Sequence, residues 1–284
     1  MTRNVQRLGV FVFGAAMCVV VAVVSGGMLG GLAGGLTPQR MAALVSALMC
    51  GLLLALCSAM LRQEGVALSA LGLPRGRRWR ELAAGFAVTA VLFAGVAWVQ
   101  SAVVGADWRF EGPAGVRAAL SALPLVAAMV CAEELLFRGL GLRYLRRACG
   151  ERAAIAITAM AFGAYHLVGS GYWAIGAFFQ FLMPCLGGLL FAWAAIRSEG
   201  LSLPIGLHLG GNWVQASVAG FHVGPSEGAI DAMWRIPITP TDVHAITAPD
   251  IAARLPYLAA LALAAAMTWV LLKRESSRRL SMST

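Results

Sequence analysis

Three short polar groups interrupt the apolar stretches of this chain. They are Glu133-Glu134-Leu135-Leu136-Phe137-Arg138, Phe162-Gly163-Ala164-Tyr165-His166 and His208-Leu209-Gly210-Gly211-Asn212. Carboxylates and imidazoles held near one another can take up and return a proton, and imidazole and amide N–H groups can steady a developing negative charge. Ionisable side chains in apolar helices are costly to bury, so they face a protein interior or a wet cavity.

Helical geometry sorts these groups further. Glu134 and Arg138 stand four residues apart on one face and can neutralise each other. Glu133 is rotated by about 100° from Glu134 and lies off that face. One carboxylate is therefore structural, and the other is free to face a cavity where its neighbours set its ionisation. His208 and Asn212 are also four apart and point the same way. Gly206, Gly210 and Gly211 beside them leave room for another backbone or an extended peptide. Phe162 sits one turn below His166 and can fix its ring. Glu133, His166, His208 and Asn212 are expected to meet at one buried cavity, within on the order of 3–7 Å of one another.

The elements that must position them are membrane helices. Hydrophobic residues make up 60% of the chain and charged ones 12%, the latter about half the usual share of a soluble domain. Apolar runs of roughly 20 residues, long enough to cross a bilayer, recur throughout. The fold class that follows is an all-α membrane protein, about eight transmembrane helices around a buried polar site. The spans fall near 8–34, 41–61, 82–104, 117–139, 153–168, 173–196, 203–220 and 255–272. Breakers such as Thr37-Pro38, Leu73-Pro74-Arg75-Gly76, Gly112-Pro113 and Gly169-Ser170-Gly171 separate them. This divides the chain into 1–116, with three spans and a basic cytoplasmic loop; 117–220, with the four spans that carry the polar groups; an outer loop, 221–254; and 255–284, the last span with a basic tail.

The net charge of +9 is explained by topology rather than by nucleic acid, because the basic residues flank the apolar runs. With the N-terminus in the cytoplasm, sixteen of the 22 Lys and Arg fall inside and five outside, and Arg138 lies within a span. This bias expects a multi-pass protein of the cell (inner) membrane with both termini cytoplasmic. The stretch after Arg3 and Arg7 reads as a retained first span rather than a cleaved signal. The six cysteines form no CxxC pair and read as free thiols. The Gly26-Gly27, Gly30-Gly31, Gly34-Gly35 series reads as helix packing.

The order EExxxR, FxxxH, HxxxN on separate membrane helices resembles the CPBP family of intramembrane proteases. That family takes in type II CaaX prenyl endopeptidases, bacteriocin-processing and immunity proteins, and relatives of lysostaphin resistance protein A. The resemblance covers residues 118–220, and the basic stretch at Leu71-Gly72-Leu73 is similar to the family too. It makes 117–220 the catalytic core. The implied activity is hydrolysis of a peptide bond in a membrane-associated peptide or protein. By position, the resemblance implies Glu133 as the catalytic carboxylate and His166 as its helper in activating water. His208 and Asn212 would line the site as oxyanion donors or metal contacts, with Glu134 and Arg138 in support. Two histidines and a glutamate (Glu133, His166, His208) can hold a divalent ion such as zinc with one position open. Asn is not a usual zinc ligand, HExxH is absent, and a metal-free glutamate mechanism fits the same residues.

Other readings compete. Gly224-Pro225-Ser226-Glu227-Gly228 fits GxSxG but lies in a polar loop without a strand-to-helix elbow. His222 and His244 share that loop and read as solvated. Trp98, Trp108, Trp173, Trp213 and Trp269 read as interface anchors or packing. A non-catalytic scaffold or immunity protein would keep the same fold. A small transporter would use buried Glu and His as a proton relay, but would more often show internal repeats, which are not evident here. The orientation has a direct check: reporter fusions at Thr284 and within 225–250 are expected to give opposite signals, and identical signals would overturn the eight-span topology.

Overall fold

A computed structural model describes residues 2–105, 107–168, 174–220, 232–235 and 255–281. The chain folds into helices α1 (Thr2–Leu32), α2 (Pro38–Gln63), α3 (Arg78–Val104), α4 (Gly112–Arg138), α5 (Leu140–Cys149), α6 (Glu151–Tyr165), α7 (Ala174–Ser198), α8 (Ser202–Trp213) and α9 (Leu255–Ser281). Among the described residues, six helical segments are long and apolar enough to cross a membrane: α1, α2, α3, the α4–α5 stretch, α7 and α9. Their outward faces carry large bare apolar side chains, among them Phe13 and Val91, each 71% exposed. Water does not tolerate such a surface, whereas hydrocarbon does. This is an all-α, membrane-type fold.

The differences from the expected spans have local causes. The fifth and seventh spans are short helices, α6 of 15 residues and α8 of 12. At Val214–Val218 the helix continues as a π turn rather than running straight to residue 220. The fourth span ends at Arg138, where Gly139 adopts φ −67° and ψ −122° and redirects the chain. The ten-residue α5 that follows buries Leu140, Leu142 and Tyr144 on one side and carries Arg143, Arg146 and Arg147 on the other. An amphipathic helix of this kind suits a membrane surface. Antiparallel pairing of Arg109–Phe110 with Trp234–Arg235 adds a two-residue strand pair.

α8 is the central element, with every side chain from Ser202 to Gly211 buried. Its largest interface is with α3, and glycines make it. A Cβ on Gly85 of α3 would lie 2.7 Å from the Leu203 carbonyl oxygen and 2.8 Å from the Leu207 nitrogen. Reciprocally, Gly206 and Gly210 of α8 face the carbonyl oxygens of Leu82 and Phe86. The two backbones thus touch directly, as small residues permit between membrane helices. The N-terminal end of α8 is fastened as well: Ser202 Oγ donates to the Gly72 carbonyl at 2.8 Å, and Leu201 N to that of Leu71 at 3.0 Å. Gly72 has φ +61°, and a Cβ there would strike Gly200 Cα at 2.5 Å. Arg78 completes the clamp, donating to the Ser198 and Glu199 carbonyls at 3.2 and 3.1 Å.

A second charged junction ties α1, α2 and α5 together. Glu64, just past α2, accepts a 2.6 Å hydrogen bond from the Tyr144 hydroxyl. Its carboxylate lies 3.3 Å from Arg7, 3.6 Å from Arg147 and 4.0 Å from Arg143. Burial pushes the Glu64 carboxyl up, but the Tyr144 bond and the three guanidiniums outweigh it and hold the group below its usual value.

The glycine contact makes a testable demand. Gly206→Ala drives a methyl into the Leu82 carbonyl and should cost about 1–3 kcal/mol. Gly95→Ala on α3, with nothing within 4 Å, should leave the melting temperature unchanged or slightly raised. Equal melting temperatures for both variants would contradict the backbone contact.

Candidate active site

The three polar groups arrive on three different helices. Glu133, Glu134 and Arg138 occupy the last turns of α4, His166 caps the C-terminal end of α6, and His208 lies in the middle of α8. Arg138 Nη1 donates to Glu134 Oε1 at 3.1 Å, and both side chains are fully buried. The pairing four residues apart that the sequence demanded is therefore present. Glu133, on the neighbouring face, retains 13% side-chain exposure.

His208 joins the two carboxylates. Its Nδ1 lies 2.9 Å from Glu134 Oε1 and its Nε2 3.5 Å from Glu133 Oε2. An ionised carboxylate only accepts, so Nδ1 carries the proton and donates to Glu134. His166 is oriented in a parallel way: Nδ1 donates to the Phe162 carbonyl at 2.8 Å, which leaves Nε2 free.

Phe162 is the hub of this arrangement. Its ring lies 4.2 Å from the Arg138 guanidinium carbon, 4.5 Å from the His166 ring and 5.6 Å from that of His208. A guanidinium over an aromatic face gains electrostatic attraction in a place where water is scarce. Gly188 of α7 provides the space: a Cβ there would come within 3.0 Å of Arg138 Nη2. Among the described residues, Glu134 Oε2 and Arg138 Nε and Nη2 find no hydrogen-bond partner.

Two positioning residues were missed in the sequence. Phe191 of α7 stacks on His208 with centroids 4.6 Å apart and planes at 18°. It lies in a uniformly apolar run, and nothing in the sequence distinguishes it. Gln180 Nε2 donates to the His166 carbonyl at 3.3 Å; as an amide amid Phe178, Phe179 and Phe181 it was a readable signal.

Other expectations are met only in part. Asn212 shares a helix with His208, yet its side chain is exposed rather than buried in the cluster. Its neighbours Gly211 and Val214 are buried, so the exposure belongs to this one side chain and not to the end of the helix. Trp213 proves to be packing, donating Nε1–H to the Ala119 carbonyl at 2.8 Å. Ser226, His222, His244, Trp173 and the Gly169-Ser170-Gly171 break lie outside the described residues. Among the described residues, no three His, Cys, Asp or Glu are gathered closely enough to hold a metal ion. Both histidines have Nδ1 engaged, as metal-bound histidines do. A separate apolar cavity of about 420 Å³ between α7 and α9, lined by Leu186, Leu190, Trp193, Leu258 and Leu261, contains none of the cluster residues.

Fold and site together define a class: a multi-pass, all-α membrane protein with a carboxylate–histidine cluster built from three helices. Residues 115–214, which include all three polar groups, match the family model described as Type II CAAX prenyl endopeptidase Rce1-like, in agreement with the CPBP resemblance. No curated protein and no solved structure matches the chain. The matched region is thus similar to a protease domain.

The burial of Glu134 and Arg138 sets a stability test. Glu134→Gln leaves a guanidinium without its counter-charge and His208 without its ionic acceptor, at a cost of about 3–5 kcal/mol. The melting temperature of the purified variant should fall accordingly. An unchanged value would show that Glu134 is not the structural carboxylate.

Proposed function

We propose that this chain is an intramembrane endopeptidase that hydrolyses a peptide bond in a membrane-associated peptide or protein. The observation that carries the reading is the division of labour between adjacent carboxylates: Glu134 is sealed against Arg138, while Glu133 keeps an accessible edge beside His208. Only an accessible carboxylate can act as base on a water molecule.

In this mechanism Glu133 takes a proton from water, with His166 Nε2 helping to orient it, and the hydroxide attacks the scissile carbonyl carbon. The carbonyl oxygen becomes an oxyanion. His208 donates to it from Nε2, which requires an N–H on both ring nitrogens and hence the imidazolium, whose charge Glu134 balances. Asn212, on the open side of α8, adds its amide N–H. Glu133 then passes its proton to the leaving nitrogen as the C–N bond breaks. These steps use the side chains of the chain itself, and the metal-assisted alternative is kept for the test below. The basic bias supports an inner-membrane protein with both termini in the cytoplasm.

The test is hydrolysis of a membrane-peptide library by the purified protein. Glu133→Gln keeps the size of the side chain but removes the base, and turnover should fall by at least about 10²-fold without loss of folding. Glu134→Gln should lose less activity per folded molecule. Activity is expected to survive EDTA; loss on chelation with recovery on added zinc would replace this mechanism with a metal-assisted one. Full activity of Glu133→Gln would sink the assignment, and a folded wild-type protein without hydrolysis would favour a scaffold.

A further inference from the structure

The Glu64 junction lies far from the polar cluster in sequence and is built differently. Three guanidiniums surround one carboxylate, so the junction carries surplus positive charge. Tyr144 supplies the hydrogen bond to Glu64, while Arg7, Arg147 and Arg143 stand at 3.3, 3.6 and 4.0 Å. Glu64 is sunk at 7% side-chain exposure, whereas the arginines keep 27% (Arg7), 43% (Arg147) and 27% (Arg143). The carboxylate thus gathers the guanidiniums from beneath, and the three arginine side chains stay partly open to the surroundings.

The position of the junction fixes what it meets there. Arg7 immediately precedes the apolar run that starts at Leu8, and Glu64 follows the one that ends at Leu61. Arg143 and Arg147 lie on the polar side of α5, whose Leu140, Leu142 and Tyr144 face inward. The cradle therefore sits where hydrocarbon gives way to headgroups, at the depth of lipid phosphates. A planar guanidinium presents paired N–H donors that match phosphate oxygens.

We propose that Arg7, Arg143 and Arg147, pre-organised by Glu64, form a binding site for the phosphate of an anionic phospholipid headgroup, seated between α1 and α5. The site is independent of the hydrolytic reading. A lipid held there joins the α1–α2 hairpin to the helix that follows Arg138.

Native mass spectrometry of the detergent-solubilised full chain, with phosphatidylglycerol and phosphatidylcholine added in competition, tests this. The wild-type protein should retain phosphatidylglycerol selectively. Arg143→Gln/Arg147→Gln should weaken that preference by on the order of tenfold. Arg75→Gln/Arg77→Gln removes the same charge from an exposed loop and should leave the preference intact. Equal loss in both double variants would mean diffuse attraction and would overturn the site. Displacement of the lipid by millimolar inorganic phosphate would overturn the lipid assignment in favour of a free anion. Should the cradle variant not fold, Arg147→Gln alone, at the most exposed of the three, carries the same comparison, with a several-fold loss expected.

Discussion

A guanidinium and a carboxylate buried together inside apolar helices constrain everything around them. Neither Arg138 nor Glu134 can be left alone at zero exposure, because an isolated ion in so dry a place is prohibitively unstable. The surrounding structure answers that demand piece by piece. Phe162 lays its ring against the guanidinium, Gly188 withholds a side chain where Nη2 lies, and His208 adds a second donor to the carboxylate. The contacts that hold this pair also hold the two imidazoles, so stabilising the ion pair and aligning the histidines are one and the same task.

This explains why adjacent glutamates have such different surroundings. A helix turns by about 100° per residue, enough to move Glu133 from the sealed face to the edge of the cluster. His208 spans the two environments, with one nitrogen on each carboxylate. Any shift of α8 along its axis would break both contacts at once. That is why its fastening by Ser202, Leu201 and Arg78 matters to the cluster some distance along the helix.

Much of this was legible in the sequence. Apolar length gave the membrane helices, and four-residue spacing gave the Glu134–Arg138 pair. The polar residues themselves gave the cluster, since each stood out against an apolar background. What was hidden shares a cause: contacts between elements leave no periodic trace. Phe191 is one aromatic residue among many in α7, and only the fold shows it flat against His208. The exposure of Asn212 was likewise unreadable, because spacing along a helix reports direction and not which neighbours cover each side chain. The amphipathic α5 was concealed by Leu140 and Leu142, which prolong the apolar pattern past the break at Gly139.

The glycine contact between α3 and α8 has a further implication for traffic through the bilayer. Where carbonyl oxygens of one helix rest on glycines of another, there are no side chains to swing aside and open a gap. An extended polypeptide cannot be threaded through that seam without prising two backbones apart. α3 and α8 therefore make a closed seam, and any passage from the lipid into the bundle would have to open elsewhere.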